Sequence, residues 1–197
     1  MSKNESNNVS SDVCFNSNKI SNAVRDILES IGDDLSREGL RSTPERVAEL
    51  YRELFSGMRY DPADVLSVFF EENHTDPIAF TDIAFNSICE HHLLPFYGYA
   101  HVGYIPKGRV VGASKVARLV DVLSKRPQIQ ERLTTQIADT IHRSLGASSA
   151  YVFVSAEHMC MTLRGVKKAE SKIVTSAQRG ELHEVQQLIK IIDLSKS

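Results

Sequence analysis

Apolar positions recur at helical spacing near both ends of the chain and at strand-like density between them. Ile20, Val24, Ile27, Leu28 and Ile31 fall three and four apart, which predicts an amphipathic helix ended near Gly32. A second helix is expected from Thr43 as N-cap, with Pro44 at its first position. Its stripe is Val47, Leu50, Tyr51 and Leu54, and Gly57 is expected to stop it. From Ile78 the period changes. Residues 78–88 and 97–105 read as neighbouring strands, the second bounded by Pro95 and Pro106. Residues 114–124 return to helical spacing through Val116, Val120 and Leu123. Pro127 is expected to open a longer helix with Ile129, Leu133, Ile137, Ile141 and Leu145 at steps of four, closed by Gly146. Residues 151–160 form a β-branched and aromatic run, 172–177 a last strand, and 181–192 a closing helix. The predicted class is α+β, with the core order strand, strand, helix, helix, strand, strand after two N-terminal helices.

Composition narrows the picture. Residues 1–17 are dense in Ser and Asn, too poor in apolar side chains to offset ordering entropy, and read as a disordered tail containing Cys14 as a bystander. Across 197 residues the formal net charge is -2, which argues against a general nucleic-acid binder but permits a local cluster of cations for an anionic substrate. Three cysteines, Cys14, Cys89 and Cys160, make no disulfide framework and suit a reducing compartment. No run approaches eighteen apolar residues and no basic-then-apolar leader is visible, so the expected partners exclude a membrane and the expected location is the cytoplasm.

The chemistry-bearing residues cluster in two short segments. Cys89 and His92 stand three apart in a tight connection, and His158 and Cys160 stand two apart on an expected strand, which would put both on one face. These are donors of the kind zinc prefers. A closed four-ligand site would be structural, whereas three ligands leave a position for water. With His91, His92 and His158 all present, histidines exceed what a closed site can use. That surplus favours Cys89, His92 and Cys160 as ligands, with His91 and His158 left for proton transfer.

The segment Ser87-Ile88-Cys89-Glu90-His91-His92-Leu93-Leu94-Pro95-Phe96 resembles the signature of the GTP cyclohydrolase I family. So do Gly112 to Arg118, Arg126 to Leu133, and His158-Met159-Cys160-Met161 followed by Arg164-Gly165. The four motifs occur in family order and the resemblance spans roughly residues 20 to 190. It implies the tunnelling fold, an antiparallel sheet with helices on one face. It also implies a helical region at 18–60, a catalytic domain at 61–197, and a homo-oligomer that is typically a decamer of two stacked pentamers.

The implied reaction opens the purine of GTP to give dihydroneopterin triphosphate and formate, the entry to pterin and tetrahydrofolate synthesis. Zinc can bring the pKa of water from 15.7 toward about 7 for attack at C8. By resemblance His158 and His91 are the acid–base pair. Glu131 stands where the family reads the N1–H and 2-amino group of guanine, donors that adenine does not present as a pair. Gln130 is a candidate ribose or base contact. Ser114, Lys115, Arg118 and Arg164 are expected on the triphosphate, and Arg46 resembles a residue lent to a neighbouring subunit's phosphate pocket. Glu49 stands where many bacterial relatives carry Lys, which puts the N-terminal contribution to that pocket in question. Two rival readings are weaker. Other enzymes of this fold use different metal or thiol patterns, and the deaminase pattern H-x-E with P-C-x-x-C is absent. A binding module with structural zinc would require four protein ligands.

Overall fold

The structure, a computed structural model, describes residues 14–195. Residues 1–13 of the expected Ser/Asn-rich tail lie outside the described residues. Its last positions belong to a helix: α1 runs Ser17–Ser30, and the Asn16 side chain caps it by accepting from the Lys19 N–H at 2.9 Å. α2 runs Thr43–Leu54 and its cap is Ser42, one residue before the expected Thr43, whose hydroxyl donates back to Gly39 O. Gly57 does not stop α2. It sits in the 3-10 turn Ser56–Arg59, pressed against the end of a later helix, and its N–H donates to Lys125 O at 3.0 Å. A Cβ there would stand 2.1 Å from Val122 O, so glycine is required by close approach.

After a short helix α3 (Pro62–Val65), strand β1 (Phe69–Glu71) precedes the long antiparallel pair β2 (Ile78–Cys89) and β3 (Pro95–Ile105). β4 (Arg109–Val111) returns to pair with β1. These three-residue strands are too short to show a period, and the sequence reading missed them. α4 (Ala113–Ser124) follows, then β5 (Pro127–Gln128), α5 (Gln130–Leu145), β6 (Ser149–His158), α6 (Met159–Thr162), β7 (Lys172–Arg179) and α7 (Leu182–Leu194). Two expectations need correction. Pro127 does not open the long helix; with Gln128 it pairs in parallel with Ile88 and Cys89 of β2, and α5 begins only at Gln130. The strand expected over 151–160 ends at His158, so Cys160 stands in the helical turn of α6.

The main sheet has the order β5-β2-β3-β6-β7 and is antiparallel except at β5. Alternation decides its faces. Phe96, Ala100, Val102 and Tyr104 of β3 and Ala150, Val152, Val154 and Ala156 of β6 are buried in one cluster. The apolar stripes of α4 (Val116, Leu119, Val120, Leu123) and α5 (Leu133, Ile137, Ile141, Leu145) complete it. The helices are not confined to that face. Gly103, between Val102 and Tyr104, faces the other way, and a Cβ on it would lie 3.2 Å from Leu188 Cδ2 of α7. α7 therefore covers the opposite face. Among the described residues, no helix is long and apolar enough to cross a membrane.

The Gly57 contact can be tested directly. Gly57→Ala forces its methyl into the carbonyl of Val122, and a cost of about 1–3 kcal/mol is expected for such overpacking. Calorimetry at fixed protein concentration should show a Tm lowered by several degrees, with Gly39→Ala as the control, a glycine whose added Cβ would approach only the far end of the Arg37 side chain, at 3.4 Å.

Candidate active site and metal centre

β2 and β6 are both antiparallel to β3, so they run parallel to each other and their C-terminal ends emerge at one end of the sheet. Cys89 is the last residue of β2, and His158 the last of β6. β5 pairs beside Cys89 and feeds Gln130, Glu131 and Arg132 into the same end as the first turn of α5.

Beyond Cys89 the chain turns tightly. Cys89 N donates to Leu94 O, and the N–H groups of His92 and Leu93 donate back to Cys89 O. Leu93 takes a positive φ of 53 to close the turn. Glu90 N is tied to Gln128 O at 3.0 Å, and the Glu90 carboxylate accepts from both terminal nitrogens of Arg132 at 2.7 Å. The turn is thus fastened to the first turn of α5 by a forked ion pair.

The donor atoms of Cys89, His92 and Cys160 lie within 4.8 Å of one another. Cys89 Sγ is 3.9 Å from His92 Nδ1 and 3.8 Å from His91 Nδ1. Among the described residues, only His92 together with Cys160 closes a three-donor group on Cys89. Tetrahedral zinc with sulfur at about 2.3 Å and nitrogen at about 2.0 Å needs donors roughly 3.5–3.8 Å apart. The group fits that requirement with a small contraction, and two thiols with one imidazole suit zinc's preference. Burial and the neighbouring Cys89 push the Cys160 thiol above its ordinary pKa.

His158 is buried, stacked parallel on Phe96 with ring centroids 4.6 Å apart. Its Nε2 lies 2.8 Å from Gln130 Oε1. Burial lowers its pKa, opposed by the nearby Glu131 carboxylate, so the ring favours the neutral form. Gln130 is itself buried, its amide nitrogen directed at Val154 O, Ile173 O and Thr175 Oγ1. It therefore does not present a side chain to an open pocket as expected for a ribose or base contact. Both ends of its amide are engaged within the protein.

Glu131 is exposed in the first turn of α5, one residue from that network. His91 is exposed on the turn, and the Arg164 guanidinium meets His92 Nε2 from the segment after α6. Ser114, Lys115 and Arg118 are carried instead on the first two turns of α4, and Arg46 on the exposed side of α2. Glu49 makes a salt bridge to Arg52 at 3.1 Å and accepts from Ser17, so its charge is spent within the α1–α2 hairpin. Sequence reading missed two working contacts, Glu90 with Arg132 and Gln130 with His158. Neither pair has a short sequence separation that a motif would display.

The family model for GTP cyclohydrolase I matches residues 20–194. A protein named GTP cyclohydrolase 1 from Caldanaerobacter subterraneus is 60% identical over 163 residues, covering 82% of this chain and 87% of its own length. One from Pelotomaculum thermopropionicum is 59% identical over 167 residues, covering 84% and 89%, and one from Bacillus pumilus is 54% identical over 167 residues, covering 84% and 88%. Among solved structures, the archaeosine synthase QueF-Like in the apo form aligns with a TM-score of 0.46 at 16% identity, over 54% of this chain and 96% of that one. That likeness is too distant to bear on fold or function. With nearly the whole described chain matched by one family model and by relatives above half identity, the chain belongs to the GTP cyclohydrolase I family.

Proposed function

We propose that this chain is a zinc-dependent GTP cyclohydrolase that converts GTP to 7,8-dihydroneopterin triphosphate and formate, the entry step of pterin and tetrahydrofolate synthesis. The observation that carries the reading is the convergence of Cys89, His92 and Cys160 beside a buried, neutral-leaning histidine in a member of this family. In this reading Cys89, His92 and Cys160 hold the metal. When bound, zinc supplies Lewis acidity that brings the pKa of water toward neutrality. Among the described residues three protein donors gather, which favours catalysis over a closed structural site.

The chain's own residues supply the rest. Glu131, at the start of α5, accepts from the N1–H and 2-amino group of guanine and so orients the base. An adenine there would leave its acceptors unmet, a cost of about 1–3 kcal/mol per lost bond. His158 exchanges a proton with the opening imidazole ring, and the exposed His91 serves the later ribose rearrangement. Ser114, Lys115, Arg118 and Arg164 bind the triphosphate, with the start of α4 adding its helix-dipole field to the anion's site. Arg46, exposed on α2, is assigned to a neighbouring subunit's phosphate pocket. That assignment goes with a tunnelling fold and a ring of two stacked pentamers, whose domain is residues 61–197 with the helical region 18–60 attached. Free thiol ligands suit the reducing cytoplasm, where we place the enzyme.

Three outcomes test the reading. Cys160→Ala should lose zinc by elemental analysis, whereas His158→Ala should keep zinc and lose formate release by about 10²-fold or more. The reverse pattern would overturn the ligand assignment. Glu131→Gln, which removes one acceptor and adds a donor facing the guanine amino group, should lower kcat/KM for GTP by at least about 10²-fold at unchanged zinc content. Zinc affinity should fall with acidification. The metal-free Cys160 thiol is held protonated by burial and by Cys89, so binding must release its proton and is weakened as pH drops. Competition with a chelator across neutral pH would read this, and a pH-independent affinity would contradict it.

A further inference from the structure

We infer that Gln130 is a positioning residue that fixes the tautomer of His158, so that proton exchange with substrate takes place at Nδ1. The inference rests on the cyclohydrolase reading for its chemistry, but its structural content stands on hydrogen-bond bookkeeping alone.

A primary amide has one end that only donates and one that only accepts. The nitrogen end of Gln130 is surrounded by Val154 O at 3.1 Å and Ile173 O at 2.9 Å, two carbonyls that can only accept. Thr175 Oγ1 stands at 3.1 Å and completes the set. Reversing the amide would set its oxygen against two carbonyl oxygens in a site that is 1% exposed, an arrangement that buried polar groups do not tolerate. The orientation is therefore forced, and Oε1 faces His158 Nε2 at 2.8 Å. An amide oxygen cannot donate, so the imidazole must carry its proton on Nε2.

The backbone holds the amide in place. Thr134 Oγ1 donates to Gln130 O and lies 2.6 Å from Thr175 Oγ1, which ties α5 to β7 on the far side. The flat stack of His158 on Phe96, 7° from parallel, opposes a ring flip that would put Cε1 in place of Nε2 against Gln130 Oε1. Phe96 in turn is the direct strand partner of His158 across β3 and β6.

The consequence is one-ended chemistry. Nδ1 carries the bare lone pair and takes up a proton to form an imidazolium whose Nε2–H remains on Gln130. The same proton leaves from Nδ1, so charge and proton count return to their starting values. Relay through the ring is closed, because the amide oxygen is far too weak a base to receive the Nε2 proton. The reactive nitrogen is thereby chosen by a residue two positions before the first turn's Arg132 and not by substrate.

Neutron diffraction of the zinc-loaded wild type reads the assignment directly. Nuclear density for hydrogen is expected on Nε2 of His158 and a bond to Gln130 Oε1; hydrogen on Nδ1 alone would overturn the proposal. Kinetics separates positioning from substrate contact. Gln130→Leu should lower kcat for GTP by about 10–100-fold with KM changed less than about threefold and zinc retained. Gln130→Met, close to Gln in length but with no strong acceptor toward Nε2–H, should lose kcat to the same extent as Gln130→Leu, so that the loss follows the acceptor and not the packing. A rise in KM with kcat intact in both variants would instead make Gln130 a substrate contact and sink the inference. If the wild type fails to hydrolyse GTP, the functional reading falls, while the hydrogen position in its neutron map still decides the role of Gln130.

Discussion

The site depends on one constraint of strand direction. Because β3 runs antiparallel to both β2 and β6, the last residues of those two strands are delivered to the same end of the sheet, although they lie about seventy positions apart in sequence. The pairing register then sets their height. Ile88 lies opposite Pro95, and Phe96 opposite His158. A slip of one residue along either ladder would turn Cys89 or His158 to the opposite face, which α7 shares. The metal-donor group and the buried histidine are thus consequences of ladder register before they are consequences of local sequence.

Around that end, charge and burial are balanced by pairing. The Cys160 thiol resists ionisation beside Cys89, and His158 resists protonation within its apolar stack. Left alone, such groups are neutral and unreactive. A divalent cation would reverse the first tendency, and a carboxylate such as Glu131 eases the second. The exposed rim behaves differently. Glu90 and Arg132 are partly solvated, so their pairing contributes little stability. Its effect is geometric: it fastens the turn carrying His91 and His92 to the helix carrying Gln130 and Glu131.

Much of this was legible in the sequence where a signal is local. The stripes of α4 and α5 and the strand character of β2, β3, β6 and β7 follow from period and propensity, and spacing and resemblance point to Cys89, His92 and Cys160, which the fold gathers into a group that could hold a metal ion. The failures are equally physical. Pro127 was read as a helix start because proline suits that position, yet its missing N–H also suits a short edge strand, and pairing with β2 won. Cys160 was placed on a strand because β-branched residues precede it, but the ladder ends at His158. Gln130 is a candidate ribose or base contact by its place beside Glu131, and its side chain is engaged within the protein. Helix geometry turns adjacent residues about 100° apart, so Glu131 stays exposed while Gln130 points into the sheet and meets partners 24 to 45 residues away.

The same geometry leaves parts of the molecule uncovered in a way that bears on assembly. β7 forms one edge of the sheet, and β2 carries β5 only at its last two residues, so most of both edges has no strand neighbour among the described residues. On the face that α7 covers at one end, Tyr97 and Tyr99 remain exposed at the other, at 43% and 52%, beside Val174 at 56%. Long open edges and an aromatic face are features that soluble monomers avoid. The proposed ring would meet both demands, since neighbouring copies could cover the open edges and the aromatic face. The chemistry gives the ring a further reason. The described donors Cys89, His92 and Cys160 come from one chain, whereas Arg46 stands exposed on a hairpin in which Arg25 pairs with Glu45 and Arg52 with Glu49. In the proposed ring that exposed guanidinium would meet the triphosphate held by another copy.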